Sequence, residues 1–296
     1  MTQHPAIGPG KTAVITGGAS GIGLAAAKRF YGLGMSVFLL DANEEALASA
    51  KDEMRAGAGV SIEGRAPAAD FTGATLGYFN ADVSDPAAWA DLRKAAFAGE
   101  REVTVLMNNA GVGRGGSAFE NPDGWRRVLE TNLFGVLNGV QAFTQAMVDQ
   151  GKPGLIINTG SKQGITMPPG DTAYNVSKAG IKALTEGLQH SLRNIPGCKV
   201  SAHLLVPGFT FTGMTRPGGG EKPAGAWTAD QVVDFMLERM GAGDFYIICP
   251  DNDVSRAVDN ARMTWTMQDI TQNRPPLSRW HPDYAEAFAA FLKANT

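Results

Sequence analysis

Thr12-Ala13-Val14-Ile15-Thr16 runs directly into Gly17-Gly18-Ala19-Ser20-Gly21-Ile22-Gly23, and a helical pattern through Leu24, Ala27 and Phe30 follows without a break. An apolar run, a glycine turn and a helix in immediate succession predict a buried strand that reverses at once into a covering helix. Glycines at 17, 21 and 23 let the backbone approach a pyrophosphate closely, and the helix N-terminus offers unpaired N–H groups to its charge. Gly17, Ser20, Gly21, Ile22 and Gly23 are therefore candidate cofactor contacts. The spacing is G-x-x-x-G-x-G, not the commoner G-x-G-x-x-G. Without its flanking strand and helix the turn would read as a mere tight connection.

The alternation continues. Ser36-Val37-Phe38-Leu39-Leu40 reads as a second buried strand ending at Asp41, 18 residues beyond Gly23, where a ribose-binding acid is expected. A carboxylate there accepts hydrogen bonds from ribose hydroxyls and repels a 2′-phosphate, so Asp41 points to NAD over NADP. The alternative is a helix N-cap ahead of Glu44. Residues 57–74 lack a clear period and read as a surface excursion. Further strands are expected at 76–81, 103–107, 155–159, 200–206 and 245–249, with helices from Asp85, over 125–150, around Tyr174 and over 228–240. Asp82 and Val83 close the third strand, where an adenine would lie. Asn108-Asn109-Ala110-Gly111 closes the fourth, small enough to pass close to a cofactor, with Asn side chains able to tie strand ends together. The expected architecture is α/β, one parallel sheet of about seven strands with helices on both faces. Residues 1–250 would form the nucleotide-binding domain with an integral active site, and 251–296 a helical C-terminal extension packed on the same domain. Residues 209–227, rich in Gly, Pro and Thr, suit a mobile lid.

Ala173-Tyr174-Asn175-Val176-Ser177-Lys178 carries the chemistry. On a helix Tyr174 and Lys178 leave the same face, about 5–6 Å apart at Cβ. A Tyr pKa near ~10 falls by ~1–3 units when a positive charge is in reach, which makes a proton carrier useful near neutrality. The pair alone would read as an ordinary surface helix, so context matters. Ser161 follows the fifth strand, 13 residues before Tyr174. Asn132 interrupts the apolar face of the long helix, where a mid-helix Asn is locally unfavourable and suggests a special role.

Charge excludes several partners. The chain has 26 Lys and Arg against 29 Asp and Glu, a net charge of −3, and no basic run, which argues against nucleic acid or an anionic membrane. No apolar stretch approaches the ~18 residues of a membrane span, and residues 1–10 have no signal-peptide pattern, so a soluble, cytoplasmic protein is expected. Cys198 and Cys249 are too few for a disulfide framework and read as buried thiols. His4, His190, His203 and His281 show no ligand spacing, and no metal is expected. Asp251 and Asp253 read as a turn.

With the motifs assembled in order, the chain resembles a classical short-chain dehydrogenase/reductase (SDR) from Lys11 to about Cys249. The motifs are Thr16-Gly17-Gly18-Ala19-Ser20-Gly21-Ile22-Gly23, Asp82-Val83, Asn108-Asn109-Ala110-Gly111, Asn132, Ser161, Tyr174 with Lys178, and Pro207-Gly208 followed by Thr212. The resemblance implies a Rossmann-type doubly wound sheet and a catalytic tetrad of Asn132, Ser161, Tyr174 and Lys178. It implies NAD along the carboxyl ends of the strands, with Asp41, Asp82, Val83, Asn109, Ala110, Gly111, Tyr174, Lys178, Pro207, Gly208, Thr210 and Thr212 beside the glycine turn as contacts. Subunits of such proteins commonly pair through the helices after Asp123 and Ala173, as homodimers or homotetramers.

The implied reaction is hydride transfer between a secondary alcohol, or its ketone, and the nicotinamide. Tyr174 would take the hydroxyl proton, Lys178 would stabilise the phenolate and hold the ribose, Ser161 would donate to the substrate oxygen, and Asn132 would hold a relay water. Bringing a Tyr from ~10 to ~7 needs about 4 kcal/mol, shared between the ammonium and the oxidised nicotinamide. The small-molecule substrate would be bulky and apolar or aromatic if Trp280 reaches over the cleft instead of joining Trp227 and Trp265 in the core. Cys249-Pro250-Asp251-Asn252 departs from the family's usual Val-Asp-Gly-Gly-like closing turn, and the tail is longer than usual. Two other functions compete with this one. The glycine spacing speaks against a nucleotide-sugar epimerase or dehydratase, and the complete Asn-Ser-Tyr-Lys set against a catalytically silent NAD-binding sensor.

Overall fold

Short runs of Val, Ile and Leu, each followed by a helix, leave the strands only parallel partners, because a crossover returns the chain to the same edge direction. The computed structural model describes residues 3–56, 74–215 and 220–296. In it one seven-stranded sheet has the order β3-β2-β1-β4-β5-β6-β7, all pairs parallel. The strands are β1 (Lys11–Thr16), β2 (Ser36–Asp41), β3 (Leu76–Asn80), β4 (Glu102–Asn108), β5 (Gly154–Thr159), β6 (Val200–Val206) and β7 (Tyr246–Ile248). The order reverses between β1 and β4, so the carboxyl ends of these two strands open a crevice. The glycine turn lies at its mouth. The expected excursion at 57–74 lies almost wholly outside the described residues.

Alternate strand residues feed two cores. Ala13 and Ile15, Val105 and Met107, and Leu155 and Ile157 pack on one face against α1 (Gly21–Gly32), α2 (Glu44–Ala56) and α8 (Ala229–Gly241). Val14, Leu106 and Ile156 face the other way, against α3 (Pro86–Ala96), α5 (Gly135–Asp149) and α7 (Thr172–Arg193). Burial on both faces is why these strands read as continuous apolar runs. Helix starts follow their local chemistry. Asp85 caps α3 with Pro86 in its first turn, and Thr228 and Gln231 form a reciprocal capping box on α8.

The expected helix over 125–150 is more finely divided. α4 (Pro122–Leu129) runs into a π-helical turn at Glu130–Phe134 before α5, and Asn132 sits in that turn. Hydrophobic periodicity does not register one widened turn, which is how the sequence conceals it. One smaller expectation is also corrected. Cys249 is buried, but Cys198 is only half-buried, because it precedes β6 in a turn where its Sγ accepts from Val200 N at 3.4 Å. After β7 the chain continues in α9 (Arg256–Thr271), two short 3₁₀ turns and α10 (Ala285–Asn295). Trp265 is buried in this tail, its indole donating to Ser278, while Trp280 keeps about 37% of its surface exposed.

A buried polar chain ties the layers. Asn108 donates to Asn158 at 2.8 Å, Asn158 donates to Thr185 at 3.0 Å, and Thr185 donates to the Ile181 carbonyl within α7. Removing its middle member strands partners on both sides. Asn158→Ala should therefore lower unfolding free energy by about 2–3 kcal/mol in urea titrations, more than an exposed Asn would.

Candidate active site

The crevice between β1 and β4 is shaped by backbone. Gly17 and Gly21 adopt φ of +61° and +52°, values that favour glycine. A Cβ on Gly23 would lie 2.1 Å from the Gly17 carbonyl oxygen, so only glycine fits where helix meets turn. Ser20 occupies the N-cap position of α1 but makes no side-chain cap, and the first turn holds no acid. The N–H groups of this helix end are thus left for an anion. Asn109 closes the floor, accepting a bond from Thr159 and donating to the Thr16 and Gly17 carbonyls, while Thr16 Oγ1 accepts from the N–H groups of Asn109 and Ala110. The strand-tying expected of Asn is present.

Asp41, at the end of β2, accepts from Ala19 N and Asn43 N at 3.0 Å each, which places its carboxylate against the glycine turn. Asp82 is exposed, whereas the Val83 side chain is buried against Gly135 and its carbonyl accepts from Trp89 and Asn138. Across the crevice, Pro207 and Gly208 leave β6. Thr210 is buried, and Thr212 lies over the turn, 3.2 Å from where a Cβ of Gly21 would stand. The two ends of segment 209–227 are laced together by Phe211 N to Trp227 O at 2.8 Å and Trp227 N to Phe209 O at 2.9 Å. A floor of glycines, an uncapped helix end and a carboxylate held against the glycine turn together fit a dinucleotide.

The tetrad expected from sequence converges beside this floor. Tyr174 and Lys178 share one face of α7, with Nζ 5.5 Å from the phenol ring centre. Lys178 is 3% exposed, donates to the Thr159 carbonyl at 2.8 Å, and has no carboxylate partner among the described residues. Burial alone pulls its amine down from 10.5 to about 8. The Ser161 side chain lies near enough to the Tyr174 phenol to lower its pKa. The net shift of the phenol is opposite to the sequence expectation: burial raises its pKa first, Ser161 offsets part of this, and Asp171 raises it further. Phenol and amine share one desolvated pocket, so each favours its neutral form.

Asn132 is wholly buried in the π turn. Its Oδ1 accepts from Val112 N at 2.7 Å, and its Nδ2 donates to Val112 O at 2.9 Å and to Ser177 Oγ at 3.0 Å. The amide nitrogen is fully used, so a water at this side chain would have to meet the second lone pair of Oδ1. That atom and Lys178 Nζ flank Gly111, 3.4 and 3.7 Å from where its Cβ would stand.

One organising residue escaped the sequence reading. Asp171 caps α7 by accepting from Tyr174 N at 3.2 Å, and also accepts from the N–H groups of Arg114, Gly115 and Gly116. It thereby fixes the start of the Tyr174 helix to the loop after β4. An Asp immediately before Thr172 is a recognisable cap signal; its partners more than fifty residues away are not. Among the described residues no cluster of three His, Cys, Asp or Glu could hold a metal, and no helix is long and apolar enough to cross a membrane.

Comparison with known proteins agrees with this geometry. A model of the short chain dehydrogenase family matches residues 11–221, and the chain belongs to that family of oxidoreductases. It is 29% identical to 1-deoxy-11-beta-hydroxypentalenate dehydrogenase of Streptomyces exfoliatus, over 91% of this chain and 94% of that one. It is 32% identical to 3beta-hydroxysteroid dehydrogenase 2 of Eggerthella lenta, over 73% of this chain and 78% of that one. Its fold matches a short chain dehydrogenase/reductase of Burkholderia phymatum solved with NAD, at a TM-score of 0.76 and 32% identity, covering 90% and 96% of the two chains. Solved structures of the fold carry NAD in some cases and NADP or NADPH in others, so a nicotinamide dinucleotide is the cofactor class.

The buried amine sets a pH dependence. The folded chain holds Lys178 at about 8 against 10.5 for the free side chain, so between these values the unfolded chain binds the extra proton. Stability then rises with pH from 8 to 10.5 on this account, and below pH 8 the group is a penalty. The unfolding free energy of the wild type minus that of Lys178→Met should climb by on the order of 2 kcal/mol from pH 7.5 to 10 in urea titrations; a flat difference would contradict the burial assignment.

Proposed function

We propose that this protein is an NAD-dependent dehydrogenase that interconverts a secondary alcohol and its ketone, with Tyr174 as the proton carrier. The observation that carries this reading is the Tyr174 phenol under the influence of Ser161, with the Lys178 amine 5.5 Å from its ring centre, beside the glycine floor at the carboxyl ends of β1 and β4. Gly17, Gly21, Gly23 and the uncapped end of α1 would hold the pyrophosphate, Asp41 the adenosine ribose, and Thr210 and Thr212 the nicotinamide end. The bound cofactor supplies a hydride acceptor and a positive charge.

The chain's own groups do the rest. Ser161 donates to the substrate oxygen and orients it toward Tyr174. Tyr174 removes the hydroxyl proton as the C–H bond is lost, and returns it in the reverse direction. Its raised pKa in the unliganded protein means that the phenolate must be stabilised within the assembled complex, where the Lys178 ammonium and Ser161 both favour it. Lys178 passes the proton toward solvent along the Gly111 face, past Oδ1 of Asn132. Asp41 favours NAD, because a 2′-phosphate would meet a carboxylate already fixed by two backbone N–H groups. Phe209 and Met214, exposed apolar side chains on the segment that follows β6, suit a bulky apolar substrate. Subunit pairing through α5 and α7 belongs to the same reading.

NADH formation with a panel of bulky secondary alcohols tests it. Tyr174→Phe should lower kcat by at least about 10³-fold while NAD still binds. Asp41→Ser should narrow the preference for NAD over NADP by about tenfold or more. Turnover that survives Tyr174→Phe, or wild-type enzyme that prefers NADP, would overturn the corresponding assignment.

A further inference from the structure

Lys162 directly follows Ser161, yet its side chain turns away from the cleft. Its ammonium lies 2.6 Å from Asp259 and 3.3 Å from Asp251, both carboxylates about 5% exposed. Each partner belongs to a different part of the molecule. Asp251, in the turn after β7, also accepts from Phe209 N at 3.1 Å, at the foot of segment 209–227, and from Val254 N at 2.8 Å. Asp259 stands in the first turn of α9, at the start of the C-terminal tail. The pair is set hard against the backbone: a Cβ on Gly208 would fall 2.8 Å from Asp251 and 3.0 Å from the Lys162 ammonium.

The Lys162 backbone is as engaged as its side chain. Its carbonyl accepts from the N–H groups of Ile165 and Thr166 and from the Thr166 hydroxyl, closing the short helix α6 (Gln163–Thr166). α6 in turn lies against α7 at the reacting level, since a Cβ on Gly164 would stand 2.6 Å from the Lys178 carbonyl oxygen. Arg262 and Arg279 from the tail complete the lining of the small cavity behind α6. The reaction described above uses none of these charges.

We propose that Lys162 is a positioning residue: gripped by Asp251 and Asp259, it locks the peptide bearing Ser161 to the foot of segment 209–227 and to α9, so that the C-terminal tail sets the alignment of Ser161 with Tyr174. This rests on the dehydrogenase reading for its catalytic consequence, but not for the mechanical coupling itself. The half-buried Lys162 ammonium bridges two nearly buried carboxylates. Loss of Lys162 leaves both carboxylates without their shared partner, and loss of Asp259 cuts the link to α9 while Asp251 keeps its own, so the three segments are held together only while all three groups are present. A displacement of about 1 Å at a reacting group is enough to cost ~10²-fold in rate.

The experiment uses full-length protein and four variants: Lys162→Met, Lys162→Arg, Asp259→Asn, and Lys152→Met as a control that removes the exposed Lys152–Glu102 pair. Amide hydrogen exchange is followed by mass spectrometry, NAD affinity by calorimetry, and kcat and KM on any alcohol turned over by the wild type. Lys162→Met and Asp259→Asn should speed exchange about tenfold or more in 160–166 and 208–212 together. They should lower kcat about tenfold or more with NAD affinity changed less than about threefold, Lys162→Arg should restore most of both effects, and Lys152→Met should do neither. Exchange that rises only in α9, or evenly across β1 to β4, overturns the proposal, as does unchanged kcat. If no alcohol is turned over, the exchange pattern alone decides the coupling while the dehydrogenase reading fails separately. If Lys162→Met does not fold, the nearly isosteric Asp259→Asn decides.

Discussion

A single amine sealed inside the protein without a counter-charge governs the arrangement of the centre. Lys178 is almost wholly buried, its bond to the Thr159 carbonyl links α7 to the end of β5, and its Nζ lies over the Tyr174 ring, 5.5 Å from the ring centre. Ordinary cores exclude such a group or pair it with a carboxylate. Here the nearest compensation is a backbone carbonyl and an aromatic face, which support the charge only in part. The surroundings are correspondingly rigid: Asn132 is locked by three bonds, Asn109 joins three strand ends, and Asp171 gathers four backbone N–H groups. Preorganisation of this kind fixes the distance between phenol and amine before any ligand arrives.

The order of the strands places that centre. With β1 and β4 adjacent and their helices leaving to opposite faces, the carboxyl ends diverge, and every tetrad member hangs from the end of a strand or the helix that follows it. The two apolar cores lie below, on either side of the sheet, and contribute stability without touching the chemistry.

How much of this could be read in advance depended on the range of the interaction. The strand, glycine turn and helix at 12–30 were legible because each step is local: apolar run, positive φ, period of 3.6. The sheet was legible because continuous apolar strands between helices admit only parallel neighbours. The juxtaposition of Tyr174 and Lys178 was legible as a spacing, but the direction of the phenol shift was not, because burial is a property of the surroundings and outweighs a neighbour at four residues' distance. Nor did Lys162 announce itself. Its partners lie 89 and 97 residues away, and a lysine beside a serine carries no mark of where its side chain will turn. The π turn at Asn132 was hidden because one polar residue on an apolar face hints at a role without giving its geometry.

The open end of α1 has a consequence for what the stability of such a protein means. Its first N–H groups have neither a cap nor an acid to meet them. A protein that leaves a helix end unanswered and an amine uncompensated is incomplete as an isolated chain. A dinucleotide binding only to the folded form would add RT ln(1 + [L]/Kd), about 2.7 kcal/mol at a hundredfold excess over Kd. The folded population then follows the supply of the small molecule as well as the sequence, and a variant too weak to persist alone could survive wherever that supply is rich.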